Sequence, residues 1–143
     1  MILSQKLTNC GVAMQKDDLI CLYGPSGCGK TRLLRSMERA LSGEGVLRTG
    51  AEEIIYKIAG SLRFETMAEF WRRYLAPENL LVDNLWVVDK KPATAGEICR
   101  VLSERQKAGK LTVLASDLSL HEWVARDRTV AQLLSKGRSV HLG

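Results

Sequence analysis

Apolar positions along this chain follow two alternating patterns. Short unbroken runs, Leu19-Ile20-Cys21-Leu22-Tyr23, Leu80-Leu81-Val82 and Leu111-Thr112-Val113-Leu114-Ala115, read as strands buried on both faces. Between them, apolar residues recur every three or four positions. Leu33, Leu34, Met37, Ala40 and Leu41 predict a helix that Gly43 and Gly45 end. Residues 51–60 and 66–75 predict two more, the second amphipathic. Pro92 suits the first turn of a helix that carries Ala95, Ile98, Val101 and Leu102 inward. Lys107, Gly109 and Lys110 supply its C-terminal chemistry. Val46–Thr49 and Ser139–Leu142 complete the set as second and fifth strands. Strands alternating with helices of this length predict an α/β fold, with a parallel sheet covered on both faces.

Composition narrows the picture without changing it. At 143 residues, 45% apolar and 26% charged, the chain fits one ordinary globular domain over residues 1–143. No repeat, low-complexity tract or linker divides it. The net charge of +5 suits a nucleotide or nucleic-acid partner, and equally a solvated basic surface, since no run of five or six like charges marks a basic arm. No apolar run is long enough to span a bilayer. The Met1-Ile2-Leu3 start lacks the charged and apolar regions of a signal peptide. Cys10, Cys21, Cys28 and Cys99 form no C-x-x-C pair, and with only His121 and His141 beside them a structural zinc site is not expected. These features predict a cytoplasmic protein with no membrane partner.

The chemistry is concentrated in Gly24-Pro25-Ser26-Gly27-Cys28-Gly29-Lys30-Thr31, an unbroken match to G-x-x-x-x-G-K-[ST]. Its glycines let successive backbone N–H groups turn inward around a β-phosphate, and the following helix adds the positive end of its dipole. Lys30 is expected to reach the β- and γ-phosphates, the Thr31 hydroxyl to hold Mg²⁺, and Arg32 to join the nucleotide contacts. A strand before the loop and an amphipathic helix after it are the context this motif requires. Cys28 fits two readings: a thiol activated by the helix N-terminus, or a small filler whose backbone N–H is what matters.

A Mg²⁺ site of this kind needs a carboxylate at the C-terminal end of a neighbouring buried strand, and Leu80-Leu81-Val82-Asp83 has that form. Asp117 follows the fourth strand at the same edge of the sheet, where ligands of open α/β sheets bind. It could also be a simple helix cap.

From about Asp18 to Trp123 the chain resembles the ATPase domain of the bacterial replication initiator DnaA and its short relative Hda, within the AAA+ class. The resemblance rests on blocks in order: Leu22-Tyr23-Gly24 into Gly29-Lys30-Thr31 with Leu33-Leu34; Ala68-Glu69-Phe70-Trp71-Arg72-Arg73-Tyr74; Leu80-Leu81-Val82-Asp83; Lys91, Thr94 and Glu97; and Ala108-Gly109-Lys110 into Val113-Leu114-Ala115-Ser116-Asp117. It implies a three-layer P-loop fold of AAA+ type, with five parallel strands in the order 5-1-4-3-2. It also implies ATP or ADP with Mg²⁺ as ligands and a partner in the replication machinery. By the same resemblance Lys30 and Thr31 contact phosphate and Mg²⁺, Asp83 is the Walker B aspartate and Asp117 is sensor 1.

Three departures shape the functional expectation. Asn84 stands where the family has a second acidic residue, and an amide can bond a water but cannot take its proton. Ser135-Lys136-Gly137-Arg138 occupies the arginine-finger segment, leaving Lys136 or Arg138 as the trans-acting cation. With the sequence ending at Gly143, neither a helical lid nor a helix-turn-helix is expected. The expectation is a nucleotide-binding accessory or regulator of DNA replication with slow or absent hydrolysis, monomeric or weakly self-associating when isolated. Alternatives are a small P-loop kinase and a non-hydrolysing interaction module. Phe70-Trp71-Arg72-Arg73-Tyr74 interleaves aromatic and basic residues, which could stack on single-stranded DNA, although helical spacing favours packing.

Overall fold

The computed structural model describes residues 18–61 and 66–142. In chain order these form β1 (Leu19–Tyr23), α1 (Lys30–Ala40), β2 (Val46–Gly50), α2 (Ala51–Ser61), α3 (Met67–Leu75), β3 (Asn79–Asp83), a 3-10 turn (Leu85–Val88), α4 (Pro92–Lys107), β4 (Leu111–Ser116), α5 (Leu120–Arg126), α6 (Arg128–Ser135) and β5 (Arg138–His141). The five strands are all parallel, in the order β2-β3-β4-β1-β5. That is the 5-1-4-3-2 order read from the other edge.

Period-two alternation along the buried strands sorts their side chains into two cores. Ile20, Leu22, Leu81, Val113 and Ala115 meet Leu34, Met37 and Leu41 of the α1 region on one face. Cys21, Leu80, Val82 and Leu114 pack on the other face against residues of the remaining helices, including Ile54, Phe70, Ile98, Leu102, Trp123 and Leu134. Helices therefore cover both sides of the sheet, and ligand access is left to the strand ends.

The hydrophobic pattern did not predict α5 and α6, which are seven and eight residues long. Elements this short carry too few apolar repeats for periodicity to register, so their caps define them. Ser119 Oγ accepts from Glu122 N while Glu122 Oε1 accepts from Ser119 N, a complete capping box. Asp127 Oδ1 accepts from Thr129 N and Val130 N to start α6. The Ser-x-x-Glu spacing at 119–122 was the available signal.

Arg105 is completely buried, and its guanidinium ties together the sheet end opposite the phosphate loop. It donates to Thr112 Oγ1 at 3.0 Å, and to the carbonyls of Tyr74 at 2.9 Å, Pro77 at 2.7 Å, Glu78 at 3.3 Å and Leu111 at 2.7 Å. Burial lowers its pKa to about 10, an effect the Glu78 charge opposes, so it remains a cation at neutral pH. Lys110 Nζ adds a bond to Leu75 O at the C-terminus of α3.

The aromatic–basic segment of α3 settles on packing. Phe70 and Tyr74 are 2% and 1% exposed, so neither ring can stack on a nucleotide base. Trp71 packs partly buried against the same core, and Arg73 lies over the Tyr74 ring.

Candidate phosphate-binding cleft

The C-terminal ends of β1, β4 and β3 lie side by side, and the order of the strands decides which residues meet there. Pairing of Tyr23 with Ser116 aligns the start of the glycine loop with the end of β4. Because β4 lies between β1 and β3, Asp117 falls between the loop and Asp83. A cleft of about 490 Å³ opens at this edge, lined by Ser26, Gly27, Gly29, Lys30, Thr31, Arg32, Asp83, Asn84 and Asp117, with Arg35 and Trp86 beside them. Nine of the residues singled out in the sequence thus share one surface, although they come from positions 26 to 117. Gly24, Pro25 and Cys28 do not line it; they contact the Lys30 ammonium instead.

Conformation in the loop follows from its glycines. Gly27 and Gly29 occupy left-handed backbone at φ 84° and 104°, which most other residues avoid. Gly24 is needed for space, since a Cβ there would stand 2.2 Å from Leu142 O and 2.9 Å from Cys28 Sγ. The half-buried Cys28 therefore fits as a small side chain packed against a glycine. Gly29 offers no side chain to cap α1, and the first turn of that helix holds no acidic residue. The helix end presents its N–H groups and positive dipole to the cleft, the arrangement that binds anions.

Lys30 is only 7% exposed. Its Nζ donates to Gly24 O at 2.7 Å and to Pro25 O at 2.9 Å, and pairs with Asp117 Oδ1 at 2.9 Å. A longer contact of 3.6 Å to Cys28 Sγ leaves the ammonium with no donor unengaged. The Asp117 side chain is 39% exposed, so the charged partner of Lys30 is open to water. Asp117 is held by the residue before it: Ser116 Oγ accepts from Leu118 N and from Nε1 of the fully buried Trp123. That contact anchors α5 to the end of β4 and fixes where the Asp117 backbone leaves the strand.

At the other wall, Thr31 Oγ1 donates to Asp83 Oδ2 at 2.6 Å, while Asp83 Oδ1 accepts from Asn84 N at 2.9 Å. A hydroxyl and a buried carboxylate in contact are hard oxygen donors of the kind Mg²⁺ prefers. Among the described residues no group of three or more His, Cys, Asp or Glu could hold a metal. A cation at this place would complete its shell with phosphate oxygens and water.

The family model described as "Bacterial DnaA ATPAse domain" matches residues 4–141. The chain belongs to the bacterial DnaA ATPase-domain family. It is 35% identical over 102 residues to chromosomal replication initiator protein DnaA 2 of Protochlamydia amoebophila, an alignment covering 70% of this chain and 23% of that protein. The chain spans about a fifth of the length of the curated relatives it matches. Among solved structures, domain III of the Thermotoga maritima replication initiation protein DnaA superposes with a TM-score of 0.85 at 20% identity, covering 99% of this chain and 60% of that one. A replication initiator DnaA bound to AMPPCP and single-stranded DNA gives 0.83 at 23% identity, covering 98% and 44%. The fold is thus the AAA+ P-loop fold of DnaA domain III.

Residues 135–138, which the resemblance places at a trans-acting cation, lie away from the chain's own cleft. Lys136 caps the C-terminus of α6, and Arg138 begins β5 opposite Ile20, at the far end of the sheet from the phosphate loop. Arg138 Nη2 bonds Asp18 Oδ2 at 3.3 Å. Asp89, the nearest acidic residue downstream of Asp83, forms an ion pair with Arg126 of α5 and does not line the cleft. The sequence pattern missed Arg35 and Trp86, which also line the cleft. Arg35 follows Thr31 by four residues on α1, so helical spacing alone could have placed it on the cleft side. No local signal marked Trp86.

Proposed function

We propose that this chain binds Mg·ATP or Mg·ADP through the phosphate loop and serves DNA replication as an accessory or regulatory AAA+ module with slow hydrolysis. One observation carries the reading: Lys30, Thr31 and Asp83 converge on one cleft in front of a helix N-terminus with no side-chain cap. Exchange of the exposed Asp117 for phosphate oxygens lets Lys30 stay bonded to Gly24 and Pro25 while it meets the β- and γ-phosphates. Thr31 and Asp83 would hold Mg²⁺, which supplies charge neutralisation between those phosphates. The AMPPCP bound to the DnaA structure described above supports a nucleotide here.

Slow turnover follows from two features. Asn84 cannot accept a proton at neutral pH, and the finger segment faces away from the chain's own cleft, so a cation must come from another subunit. Lys136 is a compact ammonium rather than a planar fork. On that basis the isolated chain is a monomer or weak dimer whose assembly needs a partner. The single-stranded DNA in that same DnaA structure supports DNA as one further partner, with contacts outside the buried rings of α3.

Equilibrium titration with ATP and ADP, steady-state hydrolysis with and without single-stranded DNA, and light scattering test these points together. Expected are saturable binding of both nucleotides, slow hydrolysis, and a mass of one or two chains. Phosphoryl transfer to a nucleoside monophosphate would make the protein a kinase. Absence of nucleotide binding would remove the reading altogether, and a stable hexamer of the isolated chain would remove its assembly part.

A further inference from the structure

The start of α2 brings a carboxylate beside Asn84, just behind the wall of the cleft that Asn84 lines. Gly50, the last residue of β2, pairs with Asp83, and α2 begins at the next residue. Strand pairing therefore carries Glu52, in the first turn of α2, beside the end of β3. Its side chain folds back across Gly50: a Cβ at that position would stand 2.2 Å from Glu52 Oε1. From there Oε1 accepts from Asn84 Nδ2 at 3.4 Å. Asn84 occupies left-handed backbone (φ 57°, ψ 40°), a conformation asparagine and aspartate tolerate, with its N–H bound to Asp83.

The neighbouring acids are otherwise engaged. Glu53 bonds Thr49 and Arg73, and Asp89 pairs with Arg126. Among the described residues Glu52 has no ion pair, and its bonded partner is the neutral amide of Asn84. That amide lines the cleft where a carboxylate would be required to activate water.

We infer that Glu52 is the general base for ATP hydrolysis, standing in for the acid missing at Asn84; this rests on the cleft being an ATP site. With its Nδ2 committed to Glu52, Asn84 presents Oδ1 as an acceptor and acts as a positioning residue for water. The water oxygen attacks the γ-phosphorus as the bond to the β–γ bridging oxygen breaks. That oxygen leaves on ADP with the electron pair, and the water proton passes to the Glu52 carboxylate, directly or through one further water, before returning to solvent. A base one side chain behind Asn84 is poorly placed compared with one at position 84, which is consistent with slow turnover.

The test compares native protein, Glu52→Gln, Asn84→Asp and the double variant, reading ATP and ADP dissociation constants beside single-turnover hydrolysis. Glu52→Gln should leave both dissociation constants unchanged and lower hydrolysis by about 10²-fold, the lower range of general-base contributions. Asn84→Asp in that background should restore it. The native rate should also fall at low pH with the titration of one carboxylate, a limb that Glu52→Gln removes from the residual rate and that a purely structural role of Glu52 would leave in place. Unchanged hydrolysis in Glu52→Gln, a loss that Asn84→Asp does not restore, or native turnover no faster than that of Lys30→Ala would each overturn the assignment. Failure of the native chain to bind ATP would instead strike the cleft reading on which the assignment rests.

Discussion

The two ends of the sheet each bury a cation, and the two cations are held differently. At the N-terminal end of β3 and β4, Arg105 is fully enclosed and donates to five acceptors, four of them carbonyls and none a carboxylate. At the C-terminal end, Lys30 has two carbonyls, a longer contact to Cys28 Sγ, and one ion pair to a partly exposed aspartate. The planar guanidinium fits a fixed set of partners that water cannot replace. The ammonium, on a flexible stem, has one partner that water or an anion can replace at low cost. One end of the fold is built to stay closed and the other to exchange.

The sharpest way to break this contrast is to remove Arg105. Arg105→Ala leaves several buried carbonyls without donors, and at about 1–3 kcal/mol for each unsatisfied group the loss should be at least ~3 kcal/mol. A fall in Tm of about 10 °C or more is expected by calorimetry. Arg105→Lys should recover only part of it, because a single ammonium cannot span five acceptors. A variant that melts within a degree of native would show that the far end is not locked by this residue.

Lys30→Ala should behave in the opposite way. Its effect on the ligand-free Tm should be smaller, since two carbonyls rather than four lose their donor, while stabilisation by ligand, about 2.7 kcal/mol at 100 times Kd, should vanish. An unchanged ATP-induced melting shift would move the nucleotide elsewhere.

Buried groups that lack hydrogen-bonding partners of this kind give a pH signature. Burial raises Cys21 and Cys99 to about 12 from 9.0. Below pH 9 both folded and unfolded chains keep these protons. Between pH 9 and 12 the unfolded chain releases them while the folded chain retains them, so stability falls as pH rises, by up to ~1.4 kcal/mol per unit for each thiol. Denaturant melts from pH 8 to 11 should show that slope, and Cys21→Ala should reduce it. The smallest effect is at Lys110, whose ammonium bonds the last carbonyls of α3. Lys110→Ala should cost about 0.3–1 kcal/mol, the usual worth of a cation at a helix C-terminus.

The chain itself determined whatever depends on neighbours in sequence. β1, the glycine loop and α1 are contiguous, so the phosphate cradle was legible from residues 19 to 41, and its left-handed glycines fall where the motif requires them. The buried strands and long helices announced themselves by period, and β3 ended at Asp83 as expected. Family blocks supplied the strand order. Tertiary structure decided the partners. Lys30 meets Asp117 because β4 lies between β1 and β3; Asp89 is taken by Arg126, 37 residues away; Glu52 reaches Asn84 because Gly50 pairs with Asp83 and has no side chain to block it. Arg105 sits on a helix whose pattern gave no sign that a charge would be wholly enclosed. In each case local propensity fixes where a backbone turns. Which side chain meets which depends on the register and order of strands far apart in the chain, and on whether water or a neighbouring dipole satisfies the group once it is buried.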